Sequence, residues 1–327
     1  MPRQARLDVP GALHHIMLRG INKTDIFKDD QDRSLFLDRL GRNVAEGKST
    51  VYAWVLMTNH VHILFKSGKE GISGVMRKLL TWYAQYFNRR HSRTGHLFEN
   101  RYKSILCDED NYLLALVRYI HLNPIRAGIV KTIEELDLYP WSAHRTLIGK
   151  AKHPWMDIES VLSQYGGTRR SALHEYRRFM TEGVAQGTIK ELTGGGLTRS
   201  QGGWSQVLAM RRRGQKEEYD QRILGGGEFV NKILKDTEDR HLRQLKHKRA
   251  GKTLKNIIEE ECRRSGINPL ELQGGGKRRA VSGTRSIIAK RGRDELGLSA
   301  AAIARRAGVS TSAITKAIDR VEKDNES

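Results

Sequence analysis

The stretch of sequence that decides the fold is Trp54-Val55-Leu56-Met57-Thr58-Asn59-His60-Val61-His62-Ile63-Leu64-Phe65. Its apolar residues are mostly β-branched or aromatic, and Thr58-Asn59 interrupts them as a turn would, so it predicts a hairpin of two strands. On the second strand His60 and His62 stand two residues apart, and both imidazoles therefore point to the same face of the sheet. Such a pair is half of a divalent-metal site, although a partly buried polar face is an equally good interpretation of the triplet alone.

A second stretch predicts a helix that ends at Pro124 and carries candidate catalytic residues. Acidic residues at 108–110 mark its beginning, and helical spacing connects the apolar residues Leu113, Leu116, Val117 and Ile120. Tyr119 and Asn123 lie four residues apart, one helical turn from each other. A phenol nucleophile and a neutral oxygen ligand would complete a site with two histidines. Tyr112 shares the helix face and is the rival nucleophile, but only Tyr119 has Asn123 one turn further on. We expect His121 to lie on the helix surface, with a contact to the leaving group as the alternative.

The two motifs together resemble a known family. His60-Val61-His62 is an HUH motif (histidine, apolar residue, histidine), and residues 119–128 are Tyr-Ile-His-Leu-Asn-Pro-Ile-Arg-Ala-Gly. In this order the pair is similar to the single-tyrosine HUH transposases, and most similar to the REP-associated tyrosine transposases, named after repetitive extragenic palindromes. The resemblance covers roughly residues 8 to 150 and extends more loosely to about 235.

The resemblance implies a ferredoxin-like α+β domain with an antiparallel sheet, in which the histidines lie on a central strand near the tyrosine helix. The predicted order of elements (strand, helix, strand, strand, helix, strand, helix) is itself an α+β pattern. Mg²⁺ or Mn²⁺ held by His60, His62 and Asn123 would polarise a scissile phosphate. Attack by Tyr119 would then leave a covalent 5′-phosphotyrosine and a free 3′-hydroxyl, as in the resembling family.

Two other functions remain open at this point. A regulator built on the same domain would bind DNA hairpins without cutting them. A replication-initiating or conjugative HUH nuclease would usually carry a helicase or a second paired tyrosine, and neither is evident here. Related domains can also place the tyrosine helix in a partner's active site, so a homodimer is possible.

Composition limits the partners and the compartment. A chain of 327 residues is long enough for two or three domains, and its net charge of +21 with pI near 10.1 favours a polyanionic partner, most simply nucleic acid. The two cysteines, Cys107 and Cys262, cannot form a disulfide framework. No apolar run reaches the length of a membrane span and no signal region follows the N-terminus, so we expect a cytoplasmic protein.

Basic and polar residues near these motifs are candidate contacts to single-stranded or hairpin DNA. The turn after the first predicted strand (residues 12–18) carries Arg19 and Asn22, which the resemblance places beside DNA, although ordinary turn chemistry explains them about as well. His14 and His15 on that strand face opposite sides and make a poor pair for one metal. Further along the chain, residues 71–90 predict a helix and residues 97–106 predict a strand. Basic side chains in this region are expected to form a track that binds DNA phosphates, and a solvated loop is the alternative. The residues of the track are Arg89, Arg90, Arg101 and Lys103.

The C-terminal residues predict a helix-turn-helix. A helix over 283–296 precedes two short helices with Ser299 and Ser310 as N-caps and Gly308 in the turn. The pattern is similar to the C-terminal DNA-binding domain of the bacterial replication initiator, and a helical hairpin used only for packing is the alternative. Duplex DNA would then meet Thr311, Ser312, Thr315 and Lys316 in its major groove. The predicted domains are residues 1–148 (catalytic), 149–250 (a helical connecting region rich in glycine) and 251–327 (helix-turn-helix).

Overall fold

The computed structural model describes residues 7–68, 71–185, 220, 222–276 and 278–324. The chain divides into two compact units, Met1–Asn231 and Lys232–Ser327. Most of the predicted connecting region after residue 185 lies outside the described residues. Within the described ranges, no helix is both long enough and apolar enough to cross a membrane.

The first unit is built on a five-stranded sheet in the order β2-β3-β1-β4-β5. Its strands are β1 (Leu13–Arg19), β2 (Thr50–Leu56), β3 (His60–Lys66), β4 (Lys103–Cys107) and β5 (Ile223–Leu224). The first four pair antiparallel in the ferredoxin-like order, which confirms the predicted α+β class and the hairpin. The sequence did not predict β5, which pairs parallel to β4 and makes the sheet mixed.

Two helices cover one face of this sheet. They are α1 (Asp30–Glu46) and α2 (Ser73–Arg90). Their apolar stripes are buried against alternate strand residues such as Val61 and Ile63, so this face of β3 points into the core. Asp29 caps α1, because its Oδ1 accepts a hydrogen bond from Asp32 N at 3.0 Å.

The opposite face is covered by helices that follow β4 in the chain: α3 (Glu109–His121), α4 (Asn123–Arg126), α5 (Ile133–Leu138), α6 (His144–Leu147), α7 (Ile158–Leu162) and α8 (Arg169–Ala185). A second core lies between them and the sheet, with Leu64, Leu116 and Ile120 among its buried members. The imidazole face of β3 is thus the face on which α3 packs.

The outer edge of β2 forms backbone hydrogen bonds with a turn that lies against it. Leu56 N donates to Trp141 O and Ala143 N donates to Trp54 O, each at 2.9 Å. A strand edge without partners is a site of aggregation, and this turn covers it with backbone hydrogen bonds. The strand predicted over residues 97–106 is shorter than expected, since only its second half pairs fully and Phe98 contributes an isolated bridge to Gly20.

The second unit is helical in the part of it that the structure describes. After α9 (Gly227–Arg249) come α10 (Leu254–Ser265), α11 (Pro269–Gln273), α12 (Arg279–Leu296), α13 (Ala300–Ala307) and α14 (Thr311–Asp324). Isoleucines from four helices form its core: Ile257, Ile288, Ile303, Ile314 and Ile318. Ser299 Oγ accepts from Ala302 N and Ser310 Oγ accepts from Ala313 N, both at 3.2 Å, as predicted for N-caps.

Candidate active site

Three imidazoles stand together on the α3 side of the sheet. His60 and His62 of β3 have ring centroids 5.3 Å apart. The third is His15 of β1, whose Nε2 lies 2.9 Å from His62 Nδ1. Burial, and then the positive charge of Arg19, lower the pKa of His60 to about 4. Burial also lowers the pKa of His62 well below its usual value, with contributions from His15, His60 and Arg19. His60 and His62 are therefore neutral near pH 7, as metal ligands must be.

The hydrogen bonds of His60 favour a ligand role. Its Nδ1 lies 2.7 Å from Asn59 Oδ1, and because an amide oxygen only accepts, His60 carries its proton on Nδ1. Its Nε2 is left with a lone pair, the arrangement found in histidines that bind metals. The Asn59 amide nitrogen donates to Lys23 O at 2.9 Å, so this side chain also ties the hairpin turn to the turn after β1.

The two histidines do not complete a metal site by themselves. A divalent cation would need a further ligand that is not a histidine, cysteine or carboxylate. Among the described residues, no three such side chains are arranged to hold a metal. Two imidazoles that share one cation place their centroids roughly 5 Å apart at metal–nitrogen distances of about 2.0–2.1 Å, and the His60–His62 pair meets this spacing. Asn123 could supply an oxygen, and the phosphate of bound DNA and water would complete the coordination.

Tyr119 projects from α3 towards the imidazoles. Its ring centroid is 5.8 Å from that of His62 and 5.7 Å from that of His15, in edge-on contacts, and the side chain is 6% exposed. The structure therefore brings the predicted nucleophile and the predicted histidines together within one chain. The rival Tyr112 lies one turn into α3, where burial, Asp108 and Cys107 raise its pKa. The ring contacts with His62 and His15 are made by Tyr119, and these contacts favour Tyr119 as the nucleophile.

Asn123 and Arg126 follow the end of α3, and both side chains donate hydrogen bonds to the backbone oxygen of Tyr119. Asn123 Nδ2 donates to Tyr119 O at 2.8 Å, so the amide nitrogen faces the backbone and Oδ1 is the atom suited to a cation. Arg126 NH1 donates to Tyr119 O at 3.3 Å, and the guanidinium lies 5.2 Å from the centre of the Tyr119 ring. Arg126 was not among the residues assigned from the sequence. Its signal was the spacing of seven residues from Tyr119, which is two helical turns.

Comparison with known proteins identifies the part of the chain that carries this site. Residues 9–123 match the sequence model of the family described as "Transposase IS200 like". This segment is similar to IS200-like transposases. The match spans β1 to the end of α3 and contains the HUH motif and the first five residues of the second motif, Tyr119 to Asn123, so the predicted resemblance is confirmed. No protein of curated function matches the chain.

A solved structure is also similar to the chain. Its title is "Structure of the REP associates tyrosine transposase bound to a REP hairpin". The two are 16% identical, and the alignment covers 52% of this chain and 93% of the other with a TM-score of 0.38.

Two predicted DNA contacts of the transposase-like segment lie around the imidazoles. Arg19 pairs with His60 across β1 and β3, and Lys103 begins β4 on the same sheet face as His62, with Met17 between them in the register. Asn22 is exposed in the turn after β1, where its backbone is left-handed with φ of 51°. Arg19 and Lys103 thus place two cationic side chains on the sheet face of the imidazoles, both on the β1 and β4 side of β3.

The other predicted members of the phosphate track lie around the end of α2. Arg90 is held by two carboxylates, Asp29 and Asp32, at 2.7 and 2.5 Å, and Asp32 is fully buried. This bonding gives Arg90 a structural role in joining α2 to the start of α1. Arg89 is exposed in the last turn of α2, and Arg101 is exposed before β4. Neither residue belongs to the cluster that Arg90 forms with Asp29 and Asp32.

The described C-terminal residues that were assigned to duplex DNA share one end of α14. Thr311, Ser312 and Lys316 are exposed, and Thr315 is half-buried with its hydroxyl donating to Thr311 O at 3.2 Å. The apolar side of the same helix, with Ile314 and Ile318, is buried. These four side chains thus lie at the polar N-terminal end of an otherwise anchored helix.

A buried hydrogen-bonded chain holds α3 to α8 in the first unit. His121 is completely buried, which contradicts the expected surface position, and its Nδ1 lies 2.8 Å from Tyr176 Oη. Tyr176 Oη is also 2.6 Å from His144 Nδ1, and His144 Nε2 is 2.8 Å from Asp137 Oδ1. Burial outweighs the effect of Asp137 and lowers the pKa of His144, so the imidazole is neutral. His144 therefore donates to Asp137 and accepts from Tyr176, which in turn accepts from His121.

We expect this chain to make stability depend on acid pH through Asp137. Burial alone would raise its pKa, but hydrogen bonds from His144, Arg177 and Lys150 outweigh burial and lower the pKa to about 2. A carboxyl whose folded pKa is depressed stabilises the fold above its unfolded pKa, and this contribution is lost as pH falls towards the folded pKa. The shift corresponds to about 2 kcal/mol at pH 7 and roughly half of that at pH 3.

Urea unfolding of the wild type and Asp137→Asn at both pH values measures this contribution. The difference between their free energies of unfolding should shrink by about 1 kcal/mol between pH 7 and pH 3. A difference that stays constant over this range would show that Asp137 has an ordinary pKa in the folded protein.

Proposed function

We propose that this chain cuts and rejoins single-stranded or hairpin DNA through a covalent bond between Tyr119 and a 5′-phosphate. The observation that carries the proposal is the meeting of one phenol and two neutral imidazoles on one sheet face, with ring centroids of His62 and Tyr119 5.8 Å apart. The similarity of residues 9–123 to IS200-like transposases supports the same activity.

In the proposed reaction the phenolic oxygen of Tyr119 attacks the scissile phosphorus. The Oη–P bond forms, the bond from phosphorus to the 3′ oxygen breaks, and the phenolic proton passes to the departing 3′-hydroxyl, directly or through solvent. The reverse attack by a 3′-hydroxyl rejoins the strand, and because the phosphodiester energy is conserved in the phosphotyrosine, rejoining needs no nucleotide. Arg126, a permanent cation at the Tyr119 ring, favours negative charge developing on the phenol.

The residues that would hold Mg²⁺ or Mn²⁺ are His60, His62 and Asn123. The bound cation would supply Lewis-acid polarisation of the scissile phosphate and stabilise charge on its oxygens. Arg19 and Lys103 lie on the same sheet face as the histidines and would hold the DNA backbone, a role that cations fill without reading sequence. Because Tyr119 and both histidines belong to one chain, the proposed site needs no residue from a partner.

A covalent-capture experiment tests this proposal. The full chain is incubated with Mn²⁺ and a pool of hairpin oligonucleotides with variable single-stranded flanks, and adducts are separated under denaturing conditions. A label at the 3′ end should travel with the protein, while a label at the 5′ end should leave on a fragment with a 3′-hydroxyl. Peptide mapping should place the DNA on the peptide that contains Tyr119. Binding without any adduct would support the alternative, a hairpin-binding regulator.

We further propose that the second unit docks the chain on duplex DNA. The supporting observation is the placement of Thr311, Ser312 and Lys316, exposed at the start of α14, directly after the tight turn from α13. A helix presented in this way can enter a major groove with its N-terminal residues towards the bases. The alternative, a hairpin of helices used only for packing, requires no DNA contact at these positions.

Lys316→Ala should weaken duplex binding by about tenfold, because a cation in the groove contacts either a base edge or a phosphate. Lys255 on α10 is the matched control, since its side chain is 82% exposed and belongs to a different helix. Affinities for a duplex selected from a random pool by the full chain should fall for Lys316→Ala and not for Lys255→Ala. Equal affinities of both variants would support the packing alternative.

A further inference from the structure

His15 is within hydrogen-bond distance of His62, one of the two proposed metal ligands. Its Nε2 is 2.9 Å from His62 Nδ1, and the two rings are stacked with centroids 5.1 Å apart and planes inclined by 30°. The register pairs Met17 with His62, so His15 is the diagonal neighbour of His62 on the same sheet face. His15 is 1% exposed and cannot exchange this contact for water without a rearrangement of β1.

A hydrogen bond between two neutral imidazoles contains a single proton between the paired nitrogens. If His62 donates, its proton is on Nδ1, and its Nε2 keeps a lone pair. If His15 donates, His62 must carry its own proton on Nε2 and cannot bind a cation through that atom. The direction of this one hydrogen bond therefore decides whether His62 can act as a ligand.

We propose that His15 is a positioning residue that accepts the Nδ1 proton of His62 and so holds Nε2 of His62 ready for the cation. The inference rests on the metal site proposed above. The neighbouring ligand offers a parallel, because Asn59 Oδ1 fixes the proton of His60 on Nδ1. Both Nε2 atoms are then unprotonated at once. Partners of this kind orient the ligand ring and increase its basicity, and their loss typically costs about 10–100-fold in metal affinity.

The position of His15 also connects the ligand to the nucleophile. Its ring centroid lies 5.7 Å from that of Tyr119, nearly the same distance as that between His62 and Tyr119. One buried side chain of β1 thus contacts a ligand on β3 and the phenol on α3. A change at His15 is expected to act on metal affinity first, because its hydrogen bond is to His62.

Mn²⁺ affinity of the full chain without DNA, measured by calorimetry and by the spin resonance of free Mn²⁺, tests the proposal. His15→Leu removes the acceptor and should weaken Mn²⁺ binding by about 10–100-fold. His15→Gln restores an accepting oxygen at a similar reach and should recover most of the affinity. His14→Leu is the matched control, since His14 is equally buried, faces the other side of the sheet and bonds Ser104 Oγ at 3.1 Å.

Long-range proton–nitrogen spectra of the metal-free protein give a second readout that does not depend on activity. The His62 proton should reside on Nδ1 in the wild type and in His15→Gln, and should move to Nε2 in a substantial fraction of His15→Leu. A His62 proton on Nε2 in the wild type, or unchanged Mn²⁺ affinity in His15→Leu, would overturn the assignment. If the wild type binds no Mn²⁺, the proposed metal site fails, and the spectra still decide the role of His15.

Discussion

Replacement of Tyr119 by phenylalanine should abolish the covalent adduct with hairpin DNA, a loss of at least about a thousandfold. The substitution removes only the hydroxyl, which is the atom proposed to bond to phosphorus. The ring itself is almost fully buried against His62 and His15, and phenylalanine keeps these edge-on contacts. We therefore expect the folded structure, hairpin affinity and Mn²⁺ affinity to remain close to those of the wild type.

Tyr112→Phe is the matched control for this prediction. Both tyrosines belong to α3 and both changes delete one hydroxyl, but Tyr112 lies near Asp108 and Cys107 rather than beside the imidazoles. Adduct yield should stay within about twofold of the wild type in Tyr112→Phe, since no proposed step uses this phenol. An adduct that survives in Tyr119→Phe and disappears in Tyr112→Phe would reverse the assignment of the nucleophile.

The local patterns of the sequence were sufficient for the sheet and for the principal pair of motifs. Alternation in β3 places His60 and His62 on one face because side chains of a strand alternate with a period of two. Helical spacing similarly places Tyr119 and Asn123 on adjacent turns at the end of α3. That the two motifs share one face of the sheet came from the family resemblance, since neither period contains information about how a helix packs on a strand.

Contacts between distant strands explain what the sequence analysis missed. His14 and His15 were expected to be a poor pair for one metal because they face opposite sides, but the sequence did not show that His15 stands beside His62 through the pairing of β1 with β3. The pairing partner and register of a strand depend on the whole sheet, and no pattern within residues 12–18 encodes them. His121 was expected on the surface for a related reason, because its burial depends on α8, whose Tyr176 is 55 residues further along the chain.

The two-residue strand β5 was beyond prediction for another physical reason. Its pairing with β4 includes backbone hydrogen bonds from Leu106 N to Arg222 O and from Asp108 N to Leu224 O, both at 2.8 Å. Such a pairing needs no particular side chains, and a strand of two residues is too short for any hydrophobic period to appear. Arg90 was predicted to contact DNA because its side chain is basic. In the structure this side chain forms ion pairs with two carboxylates, Asp29 and Asp32.

In the second unit, Gly308→Ala should unfold or displace the pair of helices α13 and α14. Gly308 ends α13 with a left-handed backbone, φ of 64°, which costs a residue with a side chain about 1 kcal/mol. A Cβ at this position would also lie 1.5 Å from the carbonyl oxygen of Gln273, a backbone atom that cannot rotate away. The two effects together should destabilise this unit by about 3 kcal/mol or more.

Gly283→Ala provides the matched control within the same unit. Gly283 lies in α12 and a Cβ there would meet no atom within 4 Å, so alanine should stabilise the helix by up to about 1 kcal/mol. Thermal unfolding and duplex binding of both variants separate the two outcomes. Gly308→Ala should lose the cooperative transition of the second unit and its duplex affinity, while hairpin adducts persist because the proposed catalytic residues all belong to the first unit. A Gly308→Ala variant as stable as Gly283→Ala would mean that the turn between α13 and α14 differs from the one described.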